Sequence, residues 1–123
     1  MKILVVDDVQ DYLNSLARAL SGEHVVLTAS DLEQAQQIID NTIELALLDI
    51  RLSEQDTANR DGILLLSRIK EKYPQIAVIM MSAYRDFDAV ADALNLGASY
   101  YLKKPISMRE LRGLISSLAK GEE

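Results

Sequence analysis

The stretch Leu45-Ala46-Leu47-Leu48-Asp49-Ile50 decides the fold, because it places four consecutive apolar residues directly before an aspartate. A short uninterrupted apolar run predicts a strand buried on both faces, as at the centre of a parallel sheet. An ionised carboxylate is costly to bury without a partner, so Asp49 is expected at the carboxyl end of this strand, near solvent. In open α/β sheets, ligands bind at that edge.

A second apolar run, from Lys2 to Val6, leads into Asp7-Asp8 in the same way. If the two strands are parallel neighbours, three carboxylates meet at one edge of the sheet. Like charges repel strongly at short distances unless a cation joins them, and hard divalent cations prefer oxygen ligands. The sequence therefore predicts a site for Mg²⁺, or for Mn²⁺, formed by Asp7, Asp8 and Asp49.

Apolar runs alternate with helical patterns about five times along the chain, which predicts an α/β fold, (βα)₅, with a doubly wound five-stranded parallel sheet. The expected strands cover residues 2–6, 24–28, 44–49, 76–81 and 99–102. Asp8 is expected to cap the first helix. The fourth helix, from about Arg85 to Leu96, is expected to turn Phe87, Val90, Ala91 and Leu94 inward.

Composition narrows the class of protein. The 123 residues suit one domain, expected over residues 1–123, with 49% apolar and 26% charged residues. A net charge of −6 argues against direct nucleic-acid binding. The absence of cysteine excludes disulfides and thiolate metal sites, and no apolar run approaches the length of a membrane span or signal peptide. We therefore expect a cytoplasmic domain that does not bind membranes.

Two further polar residues follow predicted strands at the same edge, Ser82 after the fourth and Lys104 after the fifth. Three carboxylates and one ammonium leave a net charge of about −2, which one Mg²⁺ would neutralise. A hydroxyl and an ammonium beside a carboxylate–metal pair are donors that suit the oxygens of a phosphoryl group. Asp49 is then the expected nucleophile, as in other aspartyl-phosphate chemistry.

With these residues, the chain resembles the receiver domain of two-component response regulators along its whole length. The resemblance implies the flavodoxin-like strand order 2-1-3-4-5. It is carried by motifs in the family's order: Ile3-Leu4-Val5-Val6-Asp7-Asp8, Leu47-Leu48-Asp49-Ile50-Arg51-Leu52, Asp61-Gly62, Met81-Ser82-Ala83, Gly97-Ala98 and Tyr100-Tyr101-Leu102-Lys103-Lys104-Pro105.

The resemblance implies that Asp49 accepts a phosphoryl group from a phosphohistidine, on a sensor histidine kinase or a histidine phosphotransfer protein. Asp7, Asp8 and Asp49 would hold Mg²⁺ together with the backbone carbonyl of Arg51. Lys104 would contact the phosphoryl group, and the Lys104-Pro105 peptide bond would be cis. Such a protein is not an enzyme in the ordinary sense, since it catalyses only its own phosphorylation and dephosphorylation.

The resemblance also implies a conformational switch. Ser82 would move toward the phosphoryl oxygens, and Tyr101 would swing inward behind it. This motion would reshape the surface formed by the fourth helix, fifth strand and fifth helix. That surface would control an output domain or a target protein, and it could also form a homodimer.

The sequence departs from the family pattern near the acceptor. Ser53 stands where a proline is expected, and the segment Ser53–Arg60 is about five residues longer than usual. This polar segment is expected to be an exposed loop that could contact the kinase. Arg51 and Tyr84 are large residues, and the resemblance implies that they occupy positions that tune the lifetime of the phosphoryl group, so slow hydrolysis is expected.

Alternative functions remain open. One is a degenerate receiver that acts only as a protein-interaction module. Another is a phosphatase of the haloacid dehalogenase type, although Asp49-Ile50-Arg51 lacks the second acid of that family's Asp-x-Asp motif. Flavodoxin-like cofactor binding is disfavoured because Asp7-Asp8 replaces a phosphate-binding turn. The sequence is compatible with a freestanding regulator and with the N-terminal part of a longer one.

Overall fold

The computed structural model describes residues 1–53, 55–83 and 87–121. Within these ranges, five strands alternate with five helices: β1 (Lys2–Val6), α1 (Gln10–Leu20), β2 (Val25–Ala29), α2 (Leu32–Ile38), β3 (Leu45–Asp49), α3 (Asp61–Lys72), β4 (Ala77–Ser82), α4 (Phe87–Asn95), β5 (Tyr100–Lys103) and α5 (Met108–Ala119). All strand pairs are parallel, in the order β2-β1-β3-β4-β5. This confirms the predicted (βα)₅ fold and its strand order.

The sheet is covered on both faces, which explains the uninterrupted apolar runs in its central strands. Every residue of β3 is buried, and β3 pairs with β1 on one side and β4 on the other. One core cluster joins one face of the sheet to α2, α3 and α4, and the second joins the opposite face to α1 and α5. The central strand is thereby held rigidly, and with it the residue at its carboxyl end.

The expectation that Asp8 caps α1 is wrong. The N-cap residue is Val9, and it makes no side-chain capping bond. The backbone amide of Val9 instead donates to Asp7 Oδ1 at 2.9 Å. The carboxylate one residue earlier therefore stabilises the turn that leads into the helix.

The buried face of α4 also differs from the prediction. Of the four apolar residues expected to face inward, three are exposed, so the prediction is wrong for Phe87, Ala91 and Leu94. The fully buried residues of α4 are Ala89 and Ala93, Val90 is partly buried, and Phe87 is 77% exposed. Small residues let the helix lie close to the sheet, so the larger ones remain on its outer side. The predicted start of this helix at Arg85 lies outside the described residues.

No helix among the described residues is long and apolar enough to cross a membrane.

Candidate functional site at the carboxyl edge of the sheet

Three carboxylates meet beyond β1 and β3. Asp7 and Asp8 follow β1 directly, and Asp49 is the last residue of β3. Because Val6 pairs with Leu48 in the parallel ladder, the residues that follow them are neighbours at the same edge. One oxygen from each of the three carboxylates lies within 4.8 Å of the others. Asp7 is fully buried, Asp49 is 6% exposed and Asp8 is partly buried.

The ammonium group of Lys104 joins two of these carboxylates. Its Nζ atom donates to Asp7 Oδ2 at 2.5 Å and to Asp49 Oδ2 at 3.2 Å. The side chain is only 12% exposed. The backbone amide of Lys104 donates to the carbonyl oxygen of Ser82 at 2.9 Å, which holds the segment after β5 against the end of β4. The Lys104-Pro105 bond is cis, as the resemblance implied.

The electrostatics of the site favour one more cation. Burial raises the pKa of Asp49 to about 7; the Lys104 charge opposes this effect, and the charges of Asp7 and Asp8 reinforce it. Burial acts to lower the pKa of the Lys104 ammonium, but its hydrogen bonds and charge interactions with Asp7 and Asp49 outweigh burial and raise it. A single ammonium thus leaves the three carboxylates with excess negative charge. Hard divalent cations such as Mg²⁺ fit this set of oxygen donors.

A cleft of about 90 Å³ opens beside the acceptor candidate, with room for several water-sized groups. It is lined by Asp8, Val9, Asp49, Arg51, Ser53, Ala83 and Lys104. The cleft combines carboxylate oxygens, which can act as a nucleophile, with an ammonium that can donate to an anion. This combination suits a small phosphorus electrophile.

The structure places the two predicted switch residues on neighbouring strands. Ser82 is the last residue of β4, is almost fully buried, and directly precedes Ala83 of the cleft. Tyr101, on β5, pairs with Met80 in the ladder and packs, partly buried, against the core cluster that contains Ala89 of α4. Tyr101 therefore packs against the same core cluster as α4, on the strand next to the one that ends in Ser82.

Gly62 is a residue whose role sequence reasoning did not identify. In the sequence it stands out only as part of the Asp61-Gly62 motif, but its backbone amide donates to the carbonyl oxygen of Ile50 at 3.0 Å. A Cβ atom at this position would lie 1.8 Å from the backbone oxygen of Asp49. The absence of a side chain therefore lets the start of α3 pack directly on the backbone of the acceptor candidate. No local pattern in the sequence reveals this contact.

The predicted loop between Ser53 and Arg60 is exposed over most of its described residues and is held by its own hydrogen bonds. Asn59 Oδ1 accepts from the backbone amides of Leu52 and Asp61, both at 2.9 Å. Arg60 Nη1 lies 2.9 Å from Asp92 Oδ2, which joins the end of the loop to α4. Glu54 lies outside the described residues.

Comparison with known sequences identifies the family. The sequence model of the response regulator receiver domain matches residues 3–116. The DNA-binding transcriptional regulator NtrC of Escherichia coli K12 is 34% identical over 115 residues, 92% of this chain and 24% of that protein. The transcriptional regulatory protein ZraR of Klebsiella oxytoca is 35% identical over 116 residues, 93% of this chain and 25% of that protein. The chain thus spans about a quarter of the length of these relatives.

Solved structures of receiver domains agree with this family assignment. A CheY-like response regulator receiver domain protein of Methanospirillum hungatei JF-1 superposes with a TM-score of 0.87 at 29% identity, covering 98% of this chain and 94% of that one. The receiver domain of NtrX from Brucella abortus gives a TM-score of 0.81 at 33% identity, covering 93% and 94%. These matches favour signalling over the phosphatase and cofactor-binding alternatives. The chain belongs to the receiver domain family of two-component response regulators, and its role is that of a phosphoacceptor signalling domain.

Proposed function

We propose that Asp49 is the residue that accepts the phosphoryl group, in a Mg²⁺-dependent reaction, from a phosphohistidine of a sensor histidine kinase or histidine phosphotransfer protein. The observation that carries this proposal is the contact of a nearly buried carboxylate, at the end of the central strand, with the ammonium of Lys104. In a member of the receiver family, this carboxylate beside the open cleft is the group suited to be the nucleophile.

The transfer needs no oxidant or reductant. A carboxylate oxygen of Asp49 forms a bond to phosphorus while the nitrogen–phosphorus bond of the donor breaks, and the leaving imidazole takes up a proton. The Lys104 ammonium favours the ionised carboxylate before transfer, since it already donates to Asp49 Oδ2. During transfer, it supplies positive charge and N–H donors for the phosphoryl oxygens.

The oxygen-rich cluster supports a site for Mg²⁺, which Mn²⁺ can replace. Asp7, Asp8, Asp49 and the backbone carbonyl of Arg51 would hold the ion. Two observations support the first three. Their oxygens lie within 4.8 Å of one another, and burial raises the pKa of Asp49 with reinforcement from the charges of Asp7 and Asp8, an effect that a bound cation would oppose. When bound, the ion supplies positive charge that offsets the negative charge of the phosphoryl oxygens.

The proposal extends to the output of the signal. Ser82 would turn toward the phosphoryl group and Tyr101 would move inward, changing the surface formed by α4, β5 and α5. The partly buried Tyr101 and the small size of the buried residues of α4, Ala89 and Ala93, support such a change. This surface would control an output domain or target protein, or form a homodimer. NtrC is a DNA-binding regulator, but DNA binding is not proposed for this acidic domain itself.

Arg51 bears on the lifetime of the phosphorylated form. It lines the cleft and can shield the phosphoryl group from water, which supports the expectation of slow hydrolysis. Tyr84, the other residue in that expectation, lies outside the described residues. Dephosphorylation should be faster in Arg51→Ala than in the wild type, and a wild-type half-life of seconds would contradict the expectation.

Mass spectrometry tests the acceptor assignment. The protein is incubated with acetyl phosphate, with and without Mg²⁺, beside Asp49→Asn. The control is Asp40→Asn, because Asp40 is exposed and precedes the amino end of β3, at the opposite edge of the sheet. We expect one phosphoryl adduct in the wild type and in Asp40→Asn, dependent on Mg²⁺, and none in Asp49→Asn. A folded wild-type protein with neither an adduct nor Mg²⁺ binding would instead indicate a degenerate receiver.

A further inference from the structure

Tyr12, in the first turns of α1, contacts the segment that carries Lys104 in two ways. Lys104 Nζ lies 4.5 Å from the centre of the Tyr12 ring. The backbone amide of Ile106 donates to the Tyr12 hydroxyl at 3.3 Å. One half-buried side chain thus contacts both the ammonium group and the backbone that follows it.

The ring completes the surroundings of the ammonium. An ammonium has three N–H donors, and two of those of Lys104 are directed at Asp7 and Asp49. The ring of Tyr12 covers a further side, and a cation is attracted to the face of an aromatic ring most strongly where water is excluded. With its side chain only 12% exposed, Lys104 meets that condition.

We propose that Tyr12 is a positioning residue of the phosphoryl-transfer site: its ring holds the Lys104 ammonium against Asp49, and its hydroxyl holds the backbone at Ile106. This inference rests on the proposed function, in which Lys104 contacts the phosphoryl group. A lysine side chain has four flexible carbons, so without the ring its ammonium would sample positions away from Asp49. Tyr12 would thereby raise the rate of transfer without touching the reacting atoms.

A purely structural role for Tyr12 makes a different prediction. The residue also packs, partly buried, against the second core cluster. If packing were its only role, replacing it would change stability but not the rate at which Asp49 is phosphorylated. The chain offers a matched control in Tyr73, which is also partly buried and has Lys72 Nζ 5.5 Å from its ring centre. Tyr73 lies at the end of α3 and lines a different cleft, between α2 and α3.

The test compares Tyr12→Phe, Tyr12→Leu and Tyr73→Leu by two measurements. The first is the rate of Asp49 phosphorylation by acetyl phosphate at saturating Mg²⁺, with KM separated from the maximal rate. The second is the NMR signal of the lysine side-chain methylenes, recorded without phosphoryl donor and assigned through Lys104→Ala. The ring current of Tyr12 should shift the Lys104 signals away from those of the exposed Lys103.

We expect Tyr12→Leu to lower the maximal rate about fivefold, the factor that corresponds to ~1 kcal/mol of cation–π attraction, and to move the Lys104 signals toward those of Lys103. Tyr12→Phe retains the ring and loses only the hydrogen bond from the Ile106 amide, which is 3.3 Å long, so its rate should stay within about twofold of the wild type. Tyr73→Leu should match the wild type in both measurements. If Tyr12→Leu does not fold, Tyr12→Met is the second variant that removes the ring, with the same expected results.

Two results would overturn the inference: an unchanged rate in Tyr12→Leu while Lys104→Ala is slow, or Lys104 signals that do not respond to loss of the ring. Failure of the proposed function looks different. In that case, Asp49→Asn would still be phosphorylated, or Lys104→Ala would react as fast as the wild type, whatever the NMR signals show.

Discussion

Replacing Gly62 with alanine should push the start of α3 away from the backbone that carries Asp49. The added Cβ atom would lie 1.8 Å from the Asp49 carbonyl oxygen, 2.8 Å from its carbonyl carbon and 2.8 Å from the Cα atom of Ile50. All three contacts are with backbone, so no side-chain rotation relieves them. Since β3 is held in the ladder between β1 and β4, the start of α3 is the part that must move.

The size of the effect follows from these distances. Ordinary contact begins at 3.4 Å, so the helix start must withdraw by about 1.6 Å. That displacement breaks the hydrogen bond from the Gly62 amide to the Ile50 carbonyl, now 3.0 Å long. Overpacking costs about 1–3 kcal/mol and the net loss of a hydrogen bond about 1 kcal/mol. The free energy of unfolding should therefore fall by about 2–4 kcal/mol.

Urea denaturation, followed by far-ultraviolet circular dichroism, measures this change as a lower midpoint with an unchanged slope. The matched control is Gly113→Ala. Gly113 lies exposed within α5, and a Cβ atom there would meet nothing within 4 Å. The control should be more stable than the wild type by about 0.5–1 kcal/mol, because alanine favours the helix.

The variant should also be phosphorylated more slowly by acetyl phosphate, because the start of α3 no longer packs against the backbone of Asp49. A Gly62→Ala protein whose free energy of unfolding lies within about 0.5 kcal/mol of the wild type, the range of ordinary surface substitutions, would refute the reasoning. It would mean that the start of α3 can withdraw from β3 without lowering the free energy of unfolding.

Two further predictions concern the metal site and the loop. A tenfold excess of Mg²⁺ over its Kd should stabilise the protein by about 1.4 kcal/mol, raising Tm by several degrees in a thermal scan. This increase should vanish in Asp7→Asn and persist in Asp40→Asn, and an equal rise in both variants would argue against the proposed ligands. Asn59→Ala should reduce stability by about 1–3 kcal/mol, because the amides of Leu52 and Asp61 lose their acceptor. Their hydrogen exchange should speed up, whereas Thr57→Ala in the same exposed loop should leave it unchanged.

The sequence pattern was sufficient to predict the (βα)₅ architecture, and the resemblance to receiver domains supplied the strand order that brings the site residues together. Uninterrupted apolar runs identify strands covered on both faces, and parallel strands bring their carboxyl ends to one edge. The positions of Asp7, Asp8, Asp49 and Lys104 relative to those runs therefore placed them together. The strands and helices themselves follow from local periodicity, which the order of residues specifies, whereas the order of the strands in the sheet followed from the family resemblance.

Only the tertiary structure decided which contacts these residues and their neighbours make. It showed that Asp7 supports the start of α1, that α4 buries its alanines and leaves Phe87 outside, and that Gly62 lies against Asp49. It also brought Tyr12 to Lys104, 92 positions apart in the chain. Each of these facts is a contact between elements whose distance and orientation depend on how the whole core packs. No local pattern specifies such contacts, because they arise only when the helices settle on the sheet.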